Sequence, residues 1–217
     1  MCSDNEQISA PLDSTNIERL FVTRQLYLEG DFNEQSIAAL IRQLHVLQAD
    51  AEDAMKDPLA RNLTIQPSWS DFRVTLHLSS YGGSVHEFLR LYSVIHSLDY
   101  PVDILAGGKA MSAGAMLLLS GTGVRAAHEH TSIMIHTIQT IEFGDLNEIG
   151  NSFEESKRLE KALKNIIKKH TKYTKAEIDE LFHKDSYMTP QQALKHGVID
   201  RIVRSTPSSQ QKNWRLA

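Results

Sequence analysis

The sequence predicts an α/β domain with a parallel sheet, and three observations lead there. Short alternating apolar runs such as RQLYLE, RVTLHL and VDILA read as strands, and most are followed by apolar residues at helical spacing. Strand, helix, strand, helix in this order argues for parallel crossovers. Twice, in SSYGGS and in GGKAMS, glycine-rich turn chemistry stands between a strand and a helix. With 217 residues, 41% of them hydrophobic, the chain suits one sizeable domain with its own core and is too short for two large ones.

The elements follow in order. Residues 1–20 read as a flexible arm: MCSDNEQISAPLDSTN is polar and acidic, without the positive start and apolar run of a secretory signal. A short strand over 24–29 leads to Gly30 and Asp31, then to a helix opened by Asn33 whose buried face is Ile37, Leu40, Ile41, Leu44 and Leu47. Residues 50–70 lack sustained periodicity and carry two prolines, which predicts a long surface loop. Val74, Leu76 and Leu78 alternate as a strand, and Ser84 with Glu87 predicts a capping box for a helix with Phe88, Leu91 and Ile95 inward. After Pro101, Val102, Ile104 and Ala106 form a further strand, and AGAMLLLSG a helix of small and apolar residues. Its apolar run, Ala113 to Leu119, is far short of the roughly 20 residues needed to span a bilayer.

Short strands are expected near 124–127 and 132–136, then a long helix over about 146–169 with a charged outer face. Thr174 and Glu177 form a second capping box, Thr189-Pro190 open a helix that Gly197 ends, and VIDRIV over 198–203 closes a body spanning 21–204. Residues 205–217 read as a polar tail.

Charge and cysteine usage narrow the function. The formal net charge is -4 and the pI about 6.2, so no basic field collects phosphates, and nucleic acid is not an expected partner. Cys2 is the only cysteine, which rules out an intramolecular disulfide and a cysteine zinc cage and fits a reducing, cytoplasmic compartment. No membrane partner is expected.

The two glycine-rich turns would present backbone N–H groups to an anion: the oxygen of a tetrahedral intermediate, a phosphate or carboxylate, or nothing at all if they are only tight turns. Ser112 starts a helix between the small residues Met111-flanked Ala110, Ala113 and Gly114, and reads either as an uncrowded nucleophile or as a helix cap. His136 ends the apolar strand Ile133-Met134-Ile135 and would be rigidly placed as a base. His128 and His130 lie two apart, a spacing that suits a metal but lacks a third ligand. Asp185, in HKDSYMTP, precedes a predicted helix and is a candidate to orient an imidazole, though capping is the ordinary role for an aspartate there.

These stretches together resemble the Clp protease proteolytic subunit family of serine endopeptidases. The resemblance rests on YLEGDFNEQSIAALIRQLHVLQA, SSYGGSV, GGKAMSAGAMLLLSGTG, SIMIH and KDSYMTPQQALKHGVID, in the family's order over roughly 24–204. It implies a crotonase-like α/β fold of repeated ββα and βαβ units, a single domain from which the long helix near 146–169 protrudes as a handle. It implies Ser112 as nucleophile, His136 as general base, Asp185 as the residue orienting it, and the N–H groups of Gly82 and Ala113 as the oxyanion hole. It implies peptide hydrolysis without metal or cofactor, in a homo-oligomer of two stacked seven-membered rings fed with unfolded polypeptide by an AAA+ unfoldase. ATP would belong to that partner, because the chain has no G-x-x-x-x-G-K-[ST] motif.

The chain departs from the family's pattern in places. Tyr81 stands where a proline usually precedes the paired glycines, and His136-Thr137-Ile138-Gln139 where His-Gln-Pro and glycines are usual. The 50–70 loop is longer than the family's connection, and the N-terminal arm does not match the family's axial-pore segment. Other readings are a crotonase-type thioester enzyme, which needs no Ser-His-Asp set, and a serine-lysine peptidase using Lys109, which would leave His136 idle. A catalytically weak or inactive ring subunit, or a processing peptidase acting without an unfoldase, would keep the fold and change the task.

Overall fold

In the computed structural model, which describes residues 20–139 and 145–204, the strand-helix alternation builds a seven-stranded sheet. Its first half is β1 (Gln25–Phe32), α1 (Glu34–Lys56), β2 (Val74–Gly83), α2 (Val85–Ile95), β3 (Val102–Met111) and α3 (Ala113–Leu119). The second half is β4 (Arg125–His128), β5 (Ser132–Ile135), α4 (Leu146–His170), α5 (Lys175–Leu181), β6 (Ser186–Met188), α6 (Pro190–Lys195) and β7 (Arg201–Val203). The expected tail and nearly all of the expected N-terminal arm lie outside the described residues.

The strands run in the order β1-β2-β3-β4-β7, with β5 also paired to β3 and β6 to β5. Every pairing is parallel except β5 with β6. Strand β3 therefore forks: Ile104–Ala106 pair with β4, and Lys109–Met111 pair with β5. Gly108, at φ +69°, sits between the two stretches, and the register against β2 also shifts here, from Leu78 opposite Ala106 to Ser80 opposite Ala110. A residue with a Cβ is disfavoured at that φ. GGKAM is thus not the turn expected from its glycines but a kinked strand that changes neighbours.

Helix α3 is buried at all seven positions, as an all-apolar helix must be. It packs under β2 and β3, so the residue at its start is fixed by the core rather than by a surface loop. Helix α1 buries Ile37, Leu40, Ile41, Leu44 and Leu47 as expected, but continues through Ala51 and Ala54 to Lys56. The expected 50–70 loop is therefore shorter: two small apolar residues extend the buried stripe, and irregular structure begins at Asp57. That segment is tied down by Asp50, which pairs with Arg24 at 3.0 Å and Arg61 at 2.8 Å.

Capping follows the sequence closely. Full capping boxes form at Asn33–Ser36, Asp145–Glu148, Thr174–Glu177 and Thr189–Gln192, satisfying amides that helix starts leave open. Ser84 makes only half a box: its hydroxyl accepts from the Glu87 N–H at 3.3 Å, and Glu87 turns to Arg90 instead. Arg125 gathers the far end of the sheet, donating to the carbonyls of His170 and Gly197 and pairing with Asp200. Among the described residues no helix is long and apolar enough to cross a membrane.

Candidate active site

Ser112 occupies the single residue between β3 and α3, with φ 52° and ψ -122°. For a residue with a side chain such a conformation costs about 1–3 kcal/mol and persists only where the surroundings enforce it. Here they do: the Ser112 N–H donates to the Met134 carbonyl of β5 at 2.8 Å, and the Ser112 carbonyl accepts from Met116 of α3 at 3.1 Å. The hydroxyl makes no capping hydrogen bond, so the cap reading of Ser112 falls. A strained strand-to-helix turn with its hydroxyl uncommitted is the local geometry of an exposed nucleophile.

The end of β2 presses on this turn. At Gly82, φ +110°, an added Cβ would meet Ser112 Cβ at 2.7 Å, the Met111 carbonyl at 2.9 Å and Ala113 N at 3.0 Å. Only glycine permits that approach. The Gly82 N–H, however, is already used: it donates to Ser80 Oγ at 2.9 Å, and that hydroxyl donates to the Gly30 carbonyl at 2.5 Å. Gly82 is buried, whereas Gly83 is exposed and lines the cleft beside Ser112 and Ala113. With its amide turned to Ser80, Gly82 serves as the spacer that lets the two turns meet. A serine two residues before an amide is a known turn signal, so Ser80 was the available clue.

His136 is the residue after β5, and Asp185 the residue before β6. These strands pair antiparallel, Ile135 opposite Ser186, so their ends bring the two side chains together. The short strand β6, not expected from the sequence, lies between Asp185 and the helix that Thr189-Pro190 open as expected. His136 Nδ1 lies 3.9 Å from Asp185 Oδ1, an ion-pair distance too long for a hydrogen bond. The histidine side chain is 13% exposed and the aspartate 56%. Nδ1 is buried and, among the described residues, has no hydrogen-bond partner.

Ser112 and His136 line one cleft of about 690 Å³, within the range of ligand-binding cavities. Met116, Leu159, Leu163 and Phe182 supply apolar wall, while His86, Ser152, Glu155 and Ser156 supply polar edge. Glu155 pairs with Arg158 through both oxygens, at 2.6 and 2.7 Å, and lies 3.8 Å from His86. The hydrogen bonds from Arg158 hold its carboxyl below the usual carboxylate range. Helix α4, which the sequence offered no reason to place at the site, forms one side of the cleft.

The remaining candidates separate from this site. His130 is 91% exposed by its side chain and pairs loosely with Glu129, and no group of three metal-binding side chains occurs among the described residues. Lys109 lies 4.3 Å above the centre of the Tyr81 ring, a cation–π contact, and does not line the cleft. Ser112, His136, Gly83 and Ala113 thus line one cleft, and Asp185 lies 3.9 Å from His136, the residue types that acyl transfer uses. A family model described as Clp protease matches residues 11–206.

Proposed function

The chain belongs to the Clp protease family of serine peptidases, and on that premise we propose that it is an endopeptidase hydrolysing unfolded polypeptides inside an oligomeric chamber. Ser112 Oγ attacks the scissile carbonyl, His136 takes its proton and later passes it to the leaving amine, and Asp185 orients the imidazole and stabilises imidazolium. The N–H groups of Gly83 and Ala113 receive the oxyanion, each such donor contributing about 3–4 kcal/mol to the transition state. The observation that carries this reading is the strained, uncapped Ser112 sharing a cleft with His136. No metal or cofactor enters any step.

The finer family features belong to the same proposal. Residues 21–204 are one catalytic domain of crotonase-like fold, with α4 as the handle between two heptameric rings, in a cytoplasmic tetradecamer served by an AAA+ unfoldase that uses ATP. The 3.9 Å gap between His136 and Asp185 favours a second reading, a ring subunit that is inactive until a docked partner closes the gap. Degradation of a permanently unfolded polypeptide by the assembled protein, compared with Ser112→Ala, separates the two. The proposal expects cleavage without ATP that Ser112→Ala abolishes, and absence of cleavage by a well-folded oligomer contradicts it.

A further inference from the structure

The pairing of β5 with β6 ends at Ile135 and Ser186, so no ladder hydrogen bond fixes His136 relative to Asp185. Side chains take over on both flanks. Thr137, next to His136, donates from Oγ1 to Glu160 Oε2 at 2.8 Å. Glu160 Oε1 pairs with Lys164 Nζ at 3.0 Å, one turn further along α4. Lys164 also donates to Asp179 Oδ1 of α5 at 2.9 Å, and its ammonium lies 5.1 Å from the centre of the Phe182 ring. Phe182 lines the cleft and precedes Asp185 by three residues.

Two adjacent side chains of one helix thus hold both arms of the site, the strand end carrying His136 and the segment leading to Asp185. Glu160 and Lys164 are 30% and 27% exposed, more shielded than the other ion pairs of the same helix, Glu154 with Lys157 and Glu155 with Arg158. Shielded charges keep more of their attraction than exposed ones. We propose that Glu160 and Lys164 are positioning residues that set the separation of His136 and Asp185 by clamping the segments beside them onto α4. Helix α4 also walls the cleft, so a peptide seated there would press on the same clamp. The inference rests on the reading of Ser112, His136 and Asp185 as a triad.

The test is the rate of Ser112 phosphonylation by a fluorophosphonate, in which Oγ bonds phosphorus as fluoride leaves, followed by intact mass on the full chain and resolved into the maximal rate and the half-saturating concentration. Thr137→Val keeps shape and charge while removing the donor. A displacement of about 1 Å costs on the order of 100-fold in a positioned reaction, so a partial release of the clamp is expected to lower the maximal rate roughly tenfold at unchanged half-saturation. Thr137→Ser restores the hydroxyl and is expected to restore the rate. Lys164→Met, which frees the segment leading to Asp185 on the other side of the same clamp, is also expected to lower the maximal rate at unchanged half-saturation.

All rates are read well below each variant's unfolding temperature, so lost stability does not mimic lost positioning. A wild-type rate in Thr137→Val, a wild-type rate in Lys164→Met, or failure of Thr137→Ser to rescue each overturns the inference while leaving the triad standing. Absence of phosphonylation in the wild-type protein overturns the triad reading and this inference with it.

Discussion

Gly82→Ala tests the packing on which the Ser112 turn depends. The new Cβ would lie 2.7 Å from Ser112 Cβ, 2.9 Å from the Met111 carbonyl and 3.0 Å from Ala113 N. Carbon atoms pack favourably at about 3.5–4.0 Å, so the β2 end and the Ser112 turn must separate by about 1 Å. The φ of +110° adds backbone strain of about 1–3 kcal/mol, and the overpacking another 1–3 kcal/mol. A loss of about 2–6 kcal/mol is a large share of the stability of an ordinary domain. Displacing the nucleophile by about 1 Å is expected to slow phosphonylation of Ser112 on the order of 100-fold. Urea unfolding gives the first quantity, and fluorophosphonate labelling of the folded fraction gives the second. Gly30→Ala is the control: its φ is +100° but nothing lies within 4 Å of an added Cβ, so it should lose about 1 kcal/mol and keep its labelling rate. Labelling of Gly82→Ala within threefold of wild type at an unchanged urea midpoint would refute the packing argument.

Two further outcomes follow from the fold. Asp103, 2% exposed, accepts from the Val124 N–H at 2.6 Å and Arg73 Nη1 at 2.5 Å; Asp103→Ala leaves both donors unpaired and is expected to cost about 3 kcal/mol in urea unfolding, with a cost under about 1 kcal/mol contradicting it. His170 is held down to about 4 by burial, then by His96, Lys169 and Arg125, and burial also lowers His96. As pH falls from about 6.5 to 4 the unfolded chain gains a proton at His170 that the folded chain refuses, so this contribution to stability is full above 6.5 and lost across that window. Allowing for solvent screening of a half-buried group, His170→Asn should remove about 1–2 kcal/mol of the acid-side loss between pH 7 and pH 5. Equal losses in wild type and variant, measured by urea unfolding at both values, would count against it.

Patterns that depend on neighbours in the chain were legible in the sequence. The stripe of α1, the all-apolar α3, the box at Thr174 and the helix start at Thr189-Pro190 are set by local spacing and by the need to satisfy helix-end amides. Features that depend on distant partners were not. Lys109–Met111 look like turn chemistry because nothing local announces that β3 leaves β4 for β5 after Gly108. Three-residue β6 carries too little alternation to be read as a strand, yet it brings Asp185 to His136. Ser112, His136 and Asp185 were therefore chosen as a set through family resemblance rather than through spacing. The hydrogen bond from the Gly82 amide to Ser80 joins near neighbours in the chain, and the serine two residues before that amide was its one local sign.

The central claim is that the turn between β3 and α3 presents an activated nucleophile. Intact mass after fluorophosphonate treatment, on the native protein and on Ser112→Ala, measures this directly. The account predicts one stoichiometric adduct on the native protein and none on the variant. A folded, assembled native protein that takes no adduct, or an adduct that persists in Ser112→Ala, would contradict it.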